Sequence, residues 1–214
     1  MGEGGDESFG HGRKKAVRKR KKARPLDETA LRDLALAYVA RFATTGAKLE
    51  GYLARKLRER GVAEDEEGRV QTPDVGALVA RLIELGYVDD EAYARSKTRD
   101  LTARGYGARR VEQALWAAGV DDTVREDTAP GEAETRRAAI LLAKKRRFGP
   151  FGIAPEEEEP AEQSRKRREK QVAAMLRAGH KFEHITFILD ARDEDEIEEW
   201  LNEAEEEEEG PQEW

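Results

Sequence analysis

The chain has no cysteine, only three histidines and no long hydrophobic run. Without cysteine among its 214 residues, disulfide bonds and thiolate metal sites are excluded. No apolar run approaches the length of a membrane span or of a signal-peptide core. We therefore expect a soluble, cytoplasmic protein.

Groups suited to catalysis are also scarce. There is no cysteine nucleophile, no serine in a glycine elbow and no phosphate-binding loop with its lysine. His180 and His184 have the four-residue spacing of two metal ligands on one helix, but the glutamate of a metalloprotease motif does not follow His180. Asp89 and Asp90 could bind a divalent ion, although helix capping explains both carboxylates. The sequence thus predicts a protein that is not an enzyme and uses no cofactor or metal.

Charge is abundant and unevenly distributed. Charged residues make up 40% of the chain and hydrophobic residues 38%, so any core is slender. The first 25 residues hold nine bases and three acids, whereas Asp193–Trp214 holds thirteen acids and no base, and the segment between these tails is neutral. The bases of the N-terminal arm are Arg13, Lys14, Lys15, Arg18, Lys19, Arg20, Lys21, Lys22 and Arg24. They suit either a nucleic-acid-binding arm or a solvated tail. We expect both tails to be disordered, with a helical extension at Glu194–Leu201 as the alternative for the start of the acidic tail.

The stretch from Gly86 to Val120 has the pattern of a helix, a turn and a second helix. Asp89 is suited to begin a helix that ends at Gly105. The apolar side of this helix is thin and consists of Tyr93, Ser96/Lys97 and Leu101. The second helix runs from Gly107 to Gly119 with apolar residues at helical spacing.

Helix-closing glycines recur along the chain. Gly61, Gly119 and Gly179 lie 58 and 60 residues apart, and each follows an apolar residue by four positions. Because a helical hairpin with one apolar face needs neighbours to cover that face, we predict an all-α, elongated array of three tandem three-helix repeats. The predicted segments are a basic arm at 1–25, repeats at 26–88, 89–129 and 130–192 with a mobile Glu- and Pro-rich loop at 152–164, and an acidic tail at 193–214.

The middle unit resembles a known family. The matching residues are Gly86-Tyr-Val-Asp-Asp90, Tyr93-Ala94, Arg104-Gly-Tyr-Gly107, Arg110-Val111, Leu115 and Gly119-Val120, which are similar to the signature of RecX, the bacterial regulator of the RecA recombinase. The resemblance covers roughly residues 26–192 and departs from the usual pattern at the Gly152–Ser164 insertion. It implies a curved array that lies along the groove of the RecA filament on single-stranded DNA. It also implies inhibition of the recombinase, ATPase and coprotease activities, by a protein that we expect to be a monomer.

Clusters of basic residues are the candidate partner-binding sites. They are Arg95, Arg99, Arg104, Arg109 and Arg110 in the middle unit, Lys144, Lys145, Arg146 and Arg147 in the next helix, and Arg165, Lys166, Arg167, Arg168 and Lys170 in the last core helix. A simpler explanation is that they are the solvated sides of core helices, or cations that complement a helix dipole. Two functions therefore remain, a RecA-binding regulator and a helical module that binds nucleic acid directly. The neutral body favours the regulator, because a dedicated nucleic-acid binder concentrates positive charge there.

Overall fold

The computed structural model describes residues 24–65, 67–152 and 160–210 of the chain. Within these ranges the protein is helical, and its β-type pairing is limited to two isolated bridges, Leu26 with Val62 and Glu64 with Val70. The helices are α1 (Glu28–Val39), α2 (Gly46–Arg60), α3 (Val75–Glu84), α4 (Asp90–Thr102), α5 (Ala108–Trp116), α6 (Asp122–Asp127), α7 (Glu132–Arg146), α8 (Ala161–Ala178), α9 (Phe182–Asp190) and α10 (Glu194–Glu209), with a 3-10 turn at Gly149–Phe151. The predicted all-α class is confirmed.

Side-chain caps begin several of these helices, because the first backbone N–H groups of a helix lack partners within it. The capping residues are Asp27, Thr45, Asp74, Asp89, Asp121 and Asp193. Asp89 Oδ1 accepts a hydrogen bond from Ala92 N at 2.8 Å, as the capping interpretation requires. Asp90 has a different role, since its Oδ1 accepts from Gly46 N at 2.9 Å and thereby joins α4 to α2.

Three clusters of buried apolar side chains follow one another along the chain. The first lies within α1–α3, the second within α4–α6 and the third within α7–α10. Central members are Leu31, Leu49 and Leu53 in the first, Ala94, Val111 and Leu115 in the second, and Ala139, Met175, Ile185 and Trp200 in the third. Separate cores of this kind are what a tandem array of three-helix units requires. The boundaries at 26–88, 89–129 and 130–192 remain our proposal.

Consecutive units meet at equivalent places. At each joint, the C-terminal end of the later unit's second helix contacts the N-terminal end of the earlier unit's second helix. At the first joint, Thr45 before α2 donates its hydroxyl hydrogen to the carbonyl of Ala118 after α5, at 2.5 Å. At the second joint, Gly107 N before α5 donates to the carbonyl of Ala178 at the end of α8, at 2.9 Å. The two joints therefore relate the units in the same head-to-tail order.

The second joint is so tight that it requires glycine. A Cβ on Gly107 would lie 2.3 Å from the carbonyl oxygen of Gly179, which is closer than real Cβ contacts. Gly179 has φ +93° and is itself packed on the backbone of Arg110. The glycine that closes α8 therefore also makes room for the neighbouring unit.

The buried side of α4 differs from the prediction. Its buried residues are Ala94, Thr98, Leu101 and Thr102, whereas Tyr93 and Lys97 are half-buried and Ser96 is exposed. Two buried threonines replace the predicted apolar positions because their hydroxyls have partners in neighbouring elements. Thr98 Oγ1 donates to the carbonyl of Thr128 at 3.1 Å, and Thr102 Oγ1 donates to Glu134 Oε1 at 2.5 Å.

The predicted loop at 152–164 is shorter than expected at its C-terminal end. Helix α8 begins at Ala161 rather than at Arg165, with Pro160 before it and Glu162 in its first turn. An acid in the first turn is favoured by the helix dipole, which explains the earlier start. Residues 153–159 of the predicted loop lie outside the described residues.

The acidic tail is more ordered than predicted, because the helix continues well beyond the alternative extension at Glu194–Leu201. Helix α10 occupies Glu194–Glu209 and buries Ile197, Trp200 and Ala204. These three residues recur at helical spacing on one face, and Ile197 and Trp200 belong to the third core, so the apolar contact holds the acidic segment in place. Residues 211–214 lie outside the described part of the chain.

Candidate functional site

A basic cleft lies between the middle and third units. Arg104, Tyr106, Lys145, Arg146 and Arg177 surround it, and Leu142, Phe148 and Ala174 contribute apolar lining. The chain turn after α4, the C-terminal end of α7 and the C-terminal half of α8 each supply one side. Its volume is about 460 Å³, and no carboxylate is among the residues that line it in the described structure.

The cations of this cleft are largely free of carboxylate partners. Within the described residues, Lys145, Arg146 and Arg177 form no ion pair, and only Arg104 has one, with its Nη1 3.6 Å from Asp100 Oδ2. The Arg104 guanidinium also lies over the Tyr106 ring, 5.7 Å from its centroid. An anion can therefore approach three of the four cations without displacing an existing partner.

A second cleft lies beside the N-terminal half of α8. Arg147, Arg167 and Arg168 line it together with Ser164 and Gln171, its volume is about 440 Å³, and again no described carboxylate is part of the lining. Arg168 is held by Asp190, with Nη2 2.8 Å from Oδ2. Arg147 ends α7 in the left-handed conformation, with φ 57°, and so turns the chain away from the helix axis.

Helix α8 runs along both clefts. Ser164 faces the second cleft and Arg177 the first, and the thirteen helical steps from one to the other correspond to about 20 Å. We call the cations of both clefts the basic track. Its members are Arg104, Lys145, Arg146, Arg147, Arg167, Arg168 and Arg177.

The structure does not bring the predicted arginines of the middle unit together. Arg104 joins the basic track, whereas Arg109 lines a different cleft that also contains Glu112, Asp122 and Glu126. Arg95 forms an ion pair with Glu91, and Arg99 and Arg110 are exposed.

Most of the other predicted bases are either paired with a carboxylate or lie outside the described residues. Lys144 lies 3.5 Å from Glu194, Arg165 lies 3.3 Å from Glu169, and Lys166 lies 2.6 Å from Glu162, so these three are paired. Lys170 is exposed on α8. Of the N-terminal arm, Arg24 is exposed, and Arg13, Lys14, Lys15, Arg18, Lys19, Arg20, Lys21 and Lys22 lie outside the described residues.

Sequence reasoning missed two residues of the first cleft, Tyr106 and Arg177. Arg177 could have been found, because Lys170, Ala174 and Arg177 follow the spacing of one helix face. Tyr106 belongs to the turn after α4, and no pattern within that turn indicates that α7 and α8 pack beside it.

A buried polar cluster lies next to the second joint. His180 Nε2 is 3.1 Å from the Gly105 carbonyl, and His184 Nε2 is 2.8 Å from Glu132 Oε1. Burial lowers the pKa of His180 to about 4, and it also lowers the pKa of His184 against the opposing effect of Glu132. Burial alone would raise the pKa of Glu132, but hydrogen bonds from Lys181 and Arg136 bring it down to about 2. The cluster therefore holds neutral histidines beside an ionised carboxylate.

Neither a metal centre nor a membrane span is evident in the described ranges. No group of three or more histidine, cysteine or acidic side chains there is arranged to hold a metal ion. None of the described helices is long and apolar enough to cross a membrane. The histidines of the buried cluster point instead at a backbone carbonyl and a glutamate.

The fold is a helical repeat, and its described residues form two clefts lined by basic side chains. Comparison with known proteins then identifies the family. The family model described as RecX, second three-helix domain, matches residues 89–128. The Regulatory protein RecX of Myxococcus xanthus (strain DK1622) is 33% identical over 189 residues, which are 87% of this chain and 98% of that protein. The chain therefore belongs to the RecX family.

Other relatives and solved structures agree. The Regulatory protein RecX of Vibrio parahaemolyticus serotype O3:K6 is 30% identical over 67% of this chain and 81% of its own length. The crystal structure of RecX from Lactobacillus salivarius has a TM-score of 0.54 at 19% identity, covering 81% of this chain and 96% of that one. A second structure, described as regulatory protein RecX, has a TM-score of 0.51 at 21% identity over 80% and 82% of the two chains. At these identities the structural likeness shows the shared fold.

Proposed function

We propose that this chain regulates the RecA recombinase by binding the RecA filament on single-stranded DNA. On this proposal it limits strand exchange, ATP hydrolysis and coprotease activity. It does so by occupying the RecA filament and not by catalysing a reaction of its own. The observation that carries the proposal is family membership. The similarity to a regulatory RecX protein extends over 98% of that protein's length, so the regulatory part is present in this chain.

The start of α5 supplies the contact residues that we propose for the protein partner. Arg109 and Arg110 are exposed in the first turn of this helix. Cations there oppose the helix dipole at a cost of about 0.3–1 kcal/mol each, so folding does not account for them. Their backbone is fixed by the second joint, where Arg109 N donates to the Gly179 carbonyl at 3.2 Å. A rigid backbone that presents two exposed guanidinium groups suits recognition of an acidic protein surface.

The test is the inhibition of RecA-driven strand exchange and of DNA-dependent ATP hydrolysis by increasing concentrations of this protein. The variant Arg109→Glu/Arg110→Glu should inhibit at least about tenfold less potently, because removing one partner of a charge pair buried at an interface costs about 2–5 kcal/mol. Its helicity and melting temperature should remain near those of the wild type, since exposed charges contribute little to folding.

The matched control is Arg55→Glu/Arg81→Glu, which makes the same change in charge at exposed positions of the first unit. This variant should inhibit as well as the wild type. If saturating wild-type protein leaves both strand exchange and ATP hydrolysis unchanged, the regulatory proposal is wrong. If the wild type inhibits and the Arg109/Arg110 variant inhibits equally well, the RecA-binding surface lies elsewhere on the molecule.

A further inference from the structure

A cleft beside α5 and α6 opens onto the second core. Val111 and Leu115, which are each 1% exposed, line its floor, and Ala108, Ala129 and Pro130 supply the rest of its apolar lining. Its volume is about 430 Å³. Cavities of about 300–1,000 Å³ enclose organic groups of ligand size. The cleft can therefore hold one large apolar side chain.

Five charged side chains surround this floor, and one of them neutralises two others. Arg125 Nε lies 2.7 Å from Glu112 Oε1, and its Nη2 lies 2.6 Å from Asp122 Oδ1. Arg109 and Glu126 form no ion pair within the described residues. The cleft thus has one free cation and one free carboxylate beside an apolar floor. It suits a group that combines an apolar body, a hydrogen-bond donor and a carboxylate.

The C-terminal end of α10 lies next to one wall of this cleft. Glu208 Oε1 accepts a hydrogen bond from Ala133 N, and a Cβ on Gly131 would lie 2.5 Å from the same oxygen. Pro130, which lines the cleft, is the residue before Gly131. The described part of the chain ends at Gly210, two residues beyond this contact.

The direction of α10 carries the chain toward the cleft. Glu194 at the start of α10 pairs with Lys144 near the end of α7, whereas Glu208 at the other end contacts the start of α7. The two helices are therefore antiparallel, and the chain leaves α10 at the end of α7 beside which the cleft lies. Residues 211–214, Pro-Gln-Glu-Trp, come next and lie outside the described residues. Four residues can span at most about 14 Å.

This short segment contains the chemical groups that the cleft lacks. Trp214 has a large apolar ring, and its indole N–H is a donor that the Glu126 carboxylate can accept. Glu213 supplies a carboxylate for the Arg109 guanidinium. The order of the two residues places the anion directly beside the aromatic ring. The segment therefore matches the cleft in apolar surface and in both free charges.

Two other segments outside the described residues fit less well. Residues 1–23 precede α1 in the first unit and carry eight bases against three acids, so they would bring like charge to Arg109. Residues 153–159 contain no aromatic side chain. They follow Gly152, which is packed on the Arg147 carbonyl at the far end of α7, about 22 Å of helix away from the cleft.

We propose that residues 211–214 dock in this cleft, with the Trp214 ring on Val111 and Leu115 and the Glu213 carboxylate at Arg109. The docked segment covers Arg109, which is one of the two arginines that we assign to the contact with RecA. It is therefore an autoinhibitory contact that a partner must displace. The autoinhibitory role rests on the proposed function, whereas the docking itself does not.

The docking test measures acrylamide quenching of Trp214 fluorescence in full-length Trp116→Phe protein. This background is needed because Trp116 is 70% exposed, whereas Trp200 is only 9% exposed. The emission of Trp214 is the difference between this protein and Trp116→Phe/Trp214→Ala. The difference spectrum should be blue-shifted and should resist quenching. Addition of Ala129→Leu, which fills the cleft without a change of charge, should shift the emission to the red and make Trp214 readily quenched.

Ala80→Leu is the matched control, because it makes the same change at an exposed position of α3 and should leave the emission of Trp214 as it was. Arg109→Gln removes the cation of the cleft and should increase the quenching of Trp214. Circular dichroism checks that each variant remains helical. A red-shifted, readily quenched Trp214 in the parent protein overturns the inference, as does an emission that neither Ala129→Leu nor Arg109→Gln changes. Protection that is lost on dilution also overturns it, because the tryptophan would then come from a second copy of the chain.

The autoinhibitory role is tested by inhibition of RecA-driven strand exchange. If the segment occupies the cleft about nine-tenths of the time, a partner that needs the cleft binds about tenfold more weakly, so Trp214→Ala should inhibit about tenfold more potently than the wild type. Equal or weaker inhibition by Trp214→Ala overturns the autoinhibitory role. If neither protein inhibits RecA, the proposed function fails, and the quenching experiment still decides whether the segment docks.

Discussion

The protonation of one side chain, His180, makes the stability of the second joint depend on pH. It is 5% exposed, its Nε2 contacts the Gly105 carbonyl, and its Nδ1 is buried without a hydrogen-bond partner in the described structure. A neutral imidazole leaves Nδ1 as an unpaired acceptor, whereas protonation would bury an unpaired donor and a charge. The joint therefore favours the neutral form, and the unfolded chain takes up the proton more readily.

This difference predicts a loss of stability in mild acid. The pKa of His180 is about 4 in the folded protein against 6.5 in the unfolded chain, so its contribution is complete above pH 6.5 and is lost as the pH falls toward 4. Between pH 7 and pH 4.5 we expect His180 to account for a loss of about 2–3 kcal/mol. This loss of unfolding free energy is measured by urea unfolding of the wild type and of His180→Gln at both pH values. The glutamine variant should lose less stability, and an equal loss in both proteins would show that His180 does not titrate in this way.

Helix α10 shows how an acidic segment becomes part of a core. Trp200 stacks on Phe187 with ring centroids 4.5 Å apart, and the Arg136 guanidinium lies 4.5 Å from the Trp200 ring centroid. At its far end, Glu208 Oε1 accepts from Ala133 N at 3.0 Å and caps α7, which has no capping side chain of its own. The helix therefore packs on the third core as a fourth helix of that unit and covers the start of α7.

The contact of Trp200 with the third core predicts a large effect of its removal. Trp200→Ala should lower the free energy of unfolding by about 3–5 kcal/mol, because it deletes a large buried side chain and leaves a cavity. Asn202→Ala on the exposed side of α10 is the control and should change stability by less than about 0.5 kcal/mol. Denaturant titration followed by circular dichroism distinguishes them. Similar small losses in both variants would mean that α10 is not anchored by its tryptophan.

The arrangement of the whole molecule depends on two joints of different construction. The first uses side chains, with Thr45 bonded to the Ala118 carbonyl and Asp90 bonded to Gly46 N. The second uses backbone hydrogen bonds from Gly107 and Arg109, and Gly105 is also packed on the backbone of α7. The basic track crosses this second joint, so the spacing of its cations depends on the joint remaining closed.

Two glycine substitutions separate local helix stability from the geometry of the joint. Gly107 has φ −80°, which alanine also adopts, but its new Cβ would lie 2.3 Å from the Gly179 carbonyl oxygen. Gly107→Ala should therefore open the joint and cost about 1–3 kcal/mol. Gly51→Ala in the exposed middle of α2 meets no atom within 4 Å and should gain about 0.5–1 kcal/mol. Unfolding titrations and small-angle scattering test both, and a compact, equally stable Gly107→Ala protein would contradict this account.

The sequence alone determined the helices, their approximate number and their tandem order. Capping residues such as Asp27 and Thr45 and closing glycines such as Gly61 act on residues close to them in the chain. Their effects can therefore be recognised from the local sequence. The buried threonines of α4 and the continuation of α10 beyond Leu201 were missed, because each depends on partners in another element.

Only the tertiary structure decided which basic clusters meet. Helical spacing places side chains on a face of one helix but carries no information on how two helices are oriented. Arg104 joins Lys145 and Arg177 because α4, α7 and α8 converge at the second joint, while Arg109, five residues away, lines a separate cleft. That convergence is fixed by backbone hydrogen bonds at Gly107 and Ala178, which are 71 residues apart in the sequence. The candidate site is thus a product of packing between units, whereas the units themselves are products of local sequence.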